Sequence, residues 1–143
     1  MKIMKFNALV PELYVSDYNK SLHFYIDILG FKLEYDRTNP NFAFLSHGEA
    51  QLMIQEQELS DDHTGSLKYP YGRGINFEIE TPDITDIINS LKKYNYSLKK
   101  ELKEYQRKIA NGVLLGSREI QVLDPDGYFL RFSEKIKSSS VEE

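Results

Sequence analysis

Two glutamates, Glu78 and Glu80, stand two residues apart in the run Asn76-Phe77-Glu78-Ile79-Glu80. Side chains two apart on a strand share a face, so the spacing makes these carboxylates a pair. Such a pair can do acid–base chemistry when one member holds its proton tightly. It can equally offer negative charge to a cationic ligand. No array of neutral donors accompanies it to stabilise an oxyanion or enolate, which favours the second use. The three histidines, His23, His47 and His63, have no metal spacing such as i, i+4. His23 lies beside an apolar helical stripe and reads as a packing residue, and His47 lies next to a turn and reads as solvated. His63 falls in a polar loop, where it could touch a ligand at a cavity mouth. The chain has no cysteine, so thiolate metal sites, Fe–S clusters, disulfides and cysteine nucleophiles are excluded. No catalytic residue is expected.

The elements that must position these side chains follow from periodicity. Residues Ala8–Val15 alternate as a strand, with Pro11 marking an edge or a break. Ser16 offers an N-cap, Asp17 sits in the first helical turn, and Leu22, Tyr25, Ile26 and Leu29 form a helical stripe that Gly30 ends. Short strands are predicted near Lys32–Asp36, Phe42–Ser46 and Gln51–Gln55. Glu56–Arg73 is polar and aperiodic and reads as a long loop. The pattern then restarts with Ile75, Phe77 and Ile79 in a strand, Thr81 as cap, Pro82 at the first helical position, and Ile84, Ile87, Ile88 and Leu91 as a stripe. Strands near Leu98–Leu102, Glu119–Leu123 and Tyr128–Phe132 complete it, with Asp124-Pro125-Asp126-Gly127 as a tight turn. Asp17 and Asp83, Leu22 and Ile88, and Tyr25 and Leu91 all share one offset of 66 residues.

The expected architecture is therefore α+β, a strand–helix–three-strand (βαβββ) unit used twice in tandem. The expected organisation is a single domain over 1–143, with modules at about 6–57 and 73–135, a linker at 58–72 and a frayed tail at 136–143. Parity divides each sheet. With Leu13, Val15, Phe77, Ile79, Leu130 and Phe132 facing the helices, the other face lines a concave sheet cavity. That face carries Val10, Glu12, Tyr14, Asn76, Glu78, Glu80, Phe129 and Arg131, with Gln51, Met53 and Gln55 from the first half.

The 143 residues suffice for one core without a staple. The net charge of −4 argues against nucleic acid and favours cationic ligands. No apolar run is long enough to span a membrane, and the opening residues lack the apolar stretch of a signal peptide, so a cytoplasmic location is expected.

Leu13-Tyr14-Val15-Ser16-Asp17, followed by Ser21–Phe31, resembles the opening of the vicinal oxygen chelate superfamily. Ile75–Glu80 resembles the start of its second module, and Arg118–Leu123 with Asp124-Pro125-Asp126-Gly127-Tyr128-Phe129-Leu130-Arg131-Phe132 resembles its ending. The resemblance runs from about Leu9 to Glu134. It implies paired modules and a homodimer. The superfamily holds metal enzymes (glyoxalase I, extradiol dioxygenases, fosfomycin-modifying transferases) and metal-free binders of the bleomycin-resistance type. In the enzymes, His, Glu or Gln usually occupies four positions, at the first strand and in the last strand of each module. Here these fall on Val10, on Asn76, on Arg131, and on one of Gln51, Met53 or Gln55. Val10 cannot ligate, Asn76 is a poor ligand, and a guanidinium has no lone pair to give.

The resemblance thus implies a metal-free binding protein that needs no cofactor, whose ligand, a cationic, aromatic antibiotic of the bleomycin type or a related molecule, would lie in a groove of the dimer. The expected ligand-binding residues are Glu12, Tyr14, Tyr35, Phe44, Met53, Gln55, Asn76, Glu78, Glu80, Phe129 and Arg131. Aromatic rings, Tyr69, Tyr71 and Tyr105 among the further candidates, would stack on the ligand, and Glu12, Glu78 and Glu80 would serve as counter-ions. Arg131 either contacts the ligand or pairs with Glu12 or Glu78. The alternative is a divergent metal-dependent lyase, epimerase or transferase on the same scaffold.

Overall fold

The computed structural model describes residues 4–58 and 64–136. His63 and the tail beyond residue 136 lie outside the described residues. The chain forms two compact units, Met1–Arg73 with Asp124–Tyr128, and Gly74–Leu123 with Phe129–Glu143.

The first unit runs β1 (Glu12–Val15), α1 (Tyr18–Leu22), a π-helical stretch (His23–Ile28), β2 (Lys32–Arg37), β3 (Phe42–His47) and β4 (Ala50–Glu56). Its sheet order is β1-β4-β3-β2. The second runs β5 (Asn76–Glu80), α2 (Ile84–Lys93), β6 (Lys100–Ala110), β7 (Val113–Leu123) and β8 (Phe129–Ile136), in the order β5-β8-β7-β6. In each, the first strand lies parallel to the last and the other pairs are antiparallel. The two units are therefore the tandem βαβββ modules of an α+β fold. Parity sorts their faces as expected. Leu13, Val15, Ile54, Ile79, Ile120, Leu130 and Phe132 are buried, whereas Glu12, Asn76, Glu78 and Glu80 are exposed.

Helix α1 is capped one residue later than Ser16 suggests, and α2 two residues later than Thr81 suggests. Asp17 accepts the Lys20 N–H at 3.1 Å, and Asp83 accepts the Thr85 N–H at 2.9 Å. The residues before them are already engaged. Ser16 donates both its N–H and its hydroxyl to Asp126, and the Thr81 N–H donates to the Ser133 carbonyl. Aspartate at the N-cap accepts an orphan amide and complements the helix dipole. Pro82 accordingly precedes the α2 N-cap and is not its first helical residue. Strand β1 begins at Glu12, after Pro11, whose missing N–H starts the ladder late.

Strands β6 and β7 exceed expectation at 11 residues each. They form one hairpin whose turn, Asn111-Gly112, has both residues at positive φ, 50° and 76°. This is the backbone that a two-residue hairpin turn demands. Strand β6 is nearly all exposed at the sheet edge, so its sequence carries no apolar alternation.

The turn Asp124–Tyr128 packs within the first unit. The Asp124 carboxylate accepts the Tyr25 hydroxyl at 2.7 Å and the N–H groups of Asp126 and Tyr128 at 2.9 Å. The Tyr128 hydroxyl donates to the Tyr14 carbonyl, and Tyr71 N–H donates to the Asp126 carbonyl. Gly127 lies at φ 91°, and a Cβ there would stand 2.6 Å from Pro70, so only glycine fits.

Burial pushes Asp124 up to about 6 from the usual carboxylate value of 3.8, the hydrogen bonds it accepts only partly countering desolvation. A carboxyl whose folded value is raised contributes stability below 3.8 and loses it as pH rises through about 6. Urea unfolding across this range should show the wild type losing stability relative to Asp124→Asn as pH rises. A pH-independent difference between the two would contradict burial as the dominant cause.

Candidate functional site

Each sheet has one face turned from its helix, and the expected site residues lie on these two faces. In the first unit, the ladder sets Glu12, Met53, Phe44 and Tyr35 in one row, and Tyr14, Gln55, Phe42 and Arg37 in the next. Directly opposite residues share a face. This face is already occupied by its own side chains. The Tyr35 and Phe44 rings stack at 5.4 Å, and Phe6 meets both edge-on at 6.5 and 5.3 Å. Arg37 lies 4.0 Å over the Phe42 ring. Gln51 is held by the N-terminal segment, accepting the Asn7 N–H and donating to the Lys5 carbonyl, both at 2.8 Å. Phe44 is therefore a buried packing residue rather than an open stacking platform. Met53, Gln55, Tyr14 and Tyr35 remain half-buried and Glu12 is exposed.

In the second unit, the row Glu78–Arg131–Gln121–Lys100 crosses all four strands, followed by Glu80–Ser133–Glu119–Lys103. Arg131 lies at the centre. Its Nε donates to the Asn76 Oδ1 at 2.9 Å, one Nη to Glu119 at 2.8 Å and the other to Glu78 at 3.0 Å. The second oxygen of Glu119 takes a guanidinium N–H of Arg107 at 2.5 Å, and Ser133 donates its hydroxyl to Glu78 at 3.1 Å. Glu80 pairs with Lys135 at 2.8 Å. Of the two roles open to Arg131, the structure displays the ion pair with Glu78. It brings Asn76, Glu78 and Arg131 into one network and sets Phe129 opposite Asn76 in the ladder. Of the glutamates expected to act as counter-ions, Glu78 and Glu80 are engaged with the chain's own cations.

Glu119 and Arg107 are the members that sequence reasoning missed. Glu119 is only 4% exposed. Its signal was parity. It alternates with Ile120 and Val122 and so faces the same side as Gln121, across from Arg131 in the neighbouring strand. A buried carboxylate there requires a cationic partner. Arg107 carries no comparable signal, because β6 has no alternation.

The ladder also resolves which first-half residue corresponds to Arg131. Glu78 stands opposite Arg131 and Glu12 opposite Met53, and Glu12 and Glu78 are related by the 66-residue offset. The four positions that the resemblance singles out are thus Val10, Met53, Asn76 and Arg131. An aliphatic chain, a thioether, an amide already accepting a hydrogen bond, and a guanidinium do not fit a divalent ion. Among the described residues, no three His, Cys, Asp or Glu side chains gather as metal donors. His23 pairs with Asp27 at 2.7 Å on the exposed helix surface. His47 packs against Phe31, and burial lowers its affinity for a proton. No described helix is long and apolar enough to cross a membrane.

The sequence matches the family model described as Glyoxalase/Bleomycin resistance protein/Dioxygenase superfamily over residues 5–132. No curated protein matches it. Among solved structures, it is similar to a virulence protein from Salmonella typhimurium, with 23% identity, 95% of this chain and 100% of that chain covered, and a TM-score of 0.63. A glyoxalase/bleomycin resistance protein/dioxygenase from Alicyclobacillus acidocaldarius shares 16% identity, with 92% of each chain covered and a TM-score of 0.63. TioX from Micromonospora shares 16% identity, with 94% of this chain and 100% of that chain covered and a TM-score of 0.62. At these identities the likeness is one of fold.

Removing Arg131 would leave Glu119 buried with a single cation. Arg131→Ala should lower the unfolding free energy by about 3 kcal/mol, because one oxygen of the buried Glu119 is left without its cation. Arg131→Leu with Glu119→Leu should recover most of that loss, since the charge is removed with its partner. Urea denaturation measures both. A cost for Arg131→Ala below about 1 kcal/mol, the range of surface pairs, would show that the network is only superficial.

Proposed function

Because this chain belongs to the Glyoxalase/Bleomycin resistance protein/Dioxygenase superfamily, we propose that it uses the scaffold to capture a small molecule and not to convert one. The mode is the metal-free mode of the bleomycin-resistance type. The observation that carries this is Arg131. A guanidinium stands where the enzymes of the superfamily place a ligand, and it is held there by Asn76, Glu78 and Glu119. A fixed positive charge repels a divalent cation at that point and supplies no electron pair. Without an ion, the remaining carboxylates have no electrophile to work with. The structure offers hydrogen bonds, charge and rings, which are the means of binding.

The ligand-binding residues proposed for this role are Glu12, Tyr14, Tyr35, Met53, Gln55, Asn76, Glu78, Glu80, Phe129 and Arg131. We further propose that the protein acts as a homodimer. Ile109, Val113 and Leu114 are exposed near the end of the β6–β7 hairpin, and a second copy would cover such surface.

Elemental analysis of protein produced in medium supplemented with nickel, zinc, iron and manganese should find far less than one ion per chain. A small-molecule library screened by amide resonances should produce saturable shifts on β5 and β8. A stoichiometric, tightly held ion, or turnover that a chelator abolishes, would contradict capture and favour a lyase, epimerase or transferase. Light scattering should give twice the mass of the 143-residue chain; a monomer at micromolar concentration would contradict the dimer.

A further inference from the structure

The whole chain carries a net charge of −4, yet the open face of the second sheet has the opposite sign. Ladder rows and contacts place Lys99, Lys100, Lys103, Arg107, Arg131 and Lys135 there, against Glu78, Glu80 and Glu119. These rows and contacts thus bring six cations and three carboxylates to the face. All three carboxylates are taken. Glu78 pairs with Arg131, Glu119 with Arg107 and Arg131, and Glu80 with Lys135. Lys103 stands directly across the ladder from Glu119, but both oxygens of Glu119 are bound to guanidinium groups.

Three ammonium groups remain without a carboxylate among the described residues, and each lies over a ring. Lys99 is 5.3 Å from the centroid of Phe129, while Lys100 and Lys103 are 5.9 and 5.2 Å from that of Tyr105. Arg107 lies 4.3 Å from the same Tyr105 ring. Both rings are half-buried at the surface. The Arg131 guanidinium uses three of its five N–H donors within the network, leaving two directed from a fixed plane. Positive charge beside aromatic surface favours an anion carried on a flat frame, because the anion meets the ammonium groups while the frame covers the rings.

We propose that the open face of the second sheet binds a small anionic, flat ligand, its carboxylate, sulfonate or phosphate group at Lys100 and Lys103 and its frame against Tyr105 or Phe129. This rests on the capture reading and specifies its ligand class. It also reverses the charge that the net composition suggests. The overall charge averages every surface, whereas a ligand feels charges within about 10 Å.

Fluorescence anisotropy with 1-pyrenesulfonate and 1-pyrenemethylammonium tests the sign on one frame. The sulfonate should bind saturably and the ammonium should bind about tenfold more weakly or not at all, a gap of the size that opposed charge gives across a few ångströms. Lys100→Gln with Lys103→Gln should weaken the sulfonate about fivefold, the loss expected from two exposed ion pairs. Lys92→Gln with Lys93→Gln removes the same charge from α2 and should leave affinity unchanged. Circular dichroism verifies that each variant is folded. Tighter binding of the ammonium probe, or a sulfonate affinity indifferent to Lys100 and Lys103, overturns the anionic assignment while capture itself stands. Saturable binding of neither probe overturns the assignment and counts against capture as well. Displacement of the sulfonate by a short polythymidine strand, at lower concentration than by unlabelled sulfonate, overturns the small-ligand assignment in favour of nucleic acid.

Discussion

A carboxylate taken out of water must be met by positive charge, and Glu119 is met twice. Arg107 approaches one oxygen and Arg131 the other. The desolvation of Glu119 makes both guanidinium groups obligatory, since a buried charge left alone costs several kcal/mol. Arg131, once fixed by this pair, extends its remaining nitrogens to Asn76 and Glu78. Glu78 in turn orients the Ser133 hydroxyl. Four strands are therefore linked across one face by side chains as well as by the ladder. The chemistry of that face follows from the linkage. Its lone pairs are spent on the protein's own cations, and its surplus charge is positive.

The same economy of groups governs the turn that packs within the first unit. The turn from Asp124 to Tyr128 looks like simple turn chemistry, yet the carboxylates of Asp124 and Asp126 also hold side chains of the first module. Asp124 anchors Tyr25, and Asp126 receives both donors of Ser16. That engagement moves the cap of α1 from Ser16 to Asp17. A residue's local preference yields when its side chain is committed to a more buried partner. At α2 the cap lies two residues beyond Thr81, at Asp83, whose carboxylate accepts the Thr85 N–H.

Much of this was legible in the residues. The 66-residue offset places Asp17 and Asp83 at equivalent positions, and both prove to be helix caps. The alternation around Leu13, Val15, Ile79, Leu130 and Phe132 separates the packed face from the open one. Asn111-Gly112 announces a hairpin to anyone who looks for it, but β6 has no alternation to support it, being an exposed edge. Phe44 reads as a stacking platform because the alternation puts it on the open face. Its burial depends on Phe6, 38 positions earlier, and on Tyr35, which no periodicity links to it. Pairing is the property least accessible from sequence. Glu78 and Glu80 are visibly acidic, but only the ladder shows that Arg131 and Lys135 neutralise them.

Arg131 is held as a structural cation by three partners, and the proposed capture depends on its staying there. Nitrogen NMR of the arginine side chains tests this most directly. Held by Asn76, Glu78 and Glu119, the Arg131 guanidinium should show a rigid Nε–H vector and slow rotation of its Nη groups, unchanged by added zinc or nickel. A freely rotating guanidinium, or metal-induced shifts at Asn76, Glu78 and Glu119, would contradict the account.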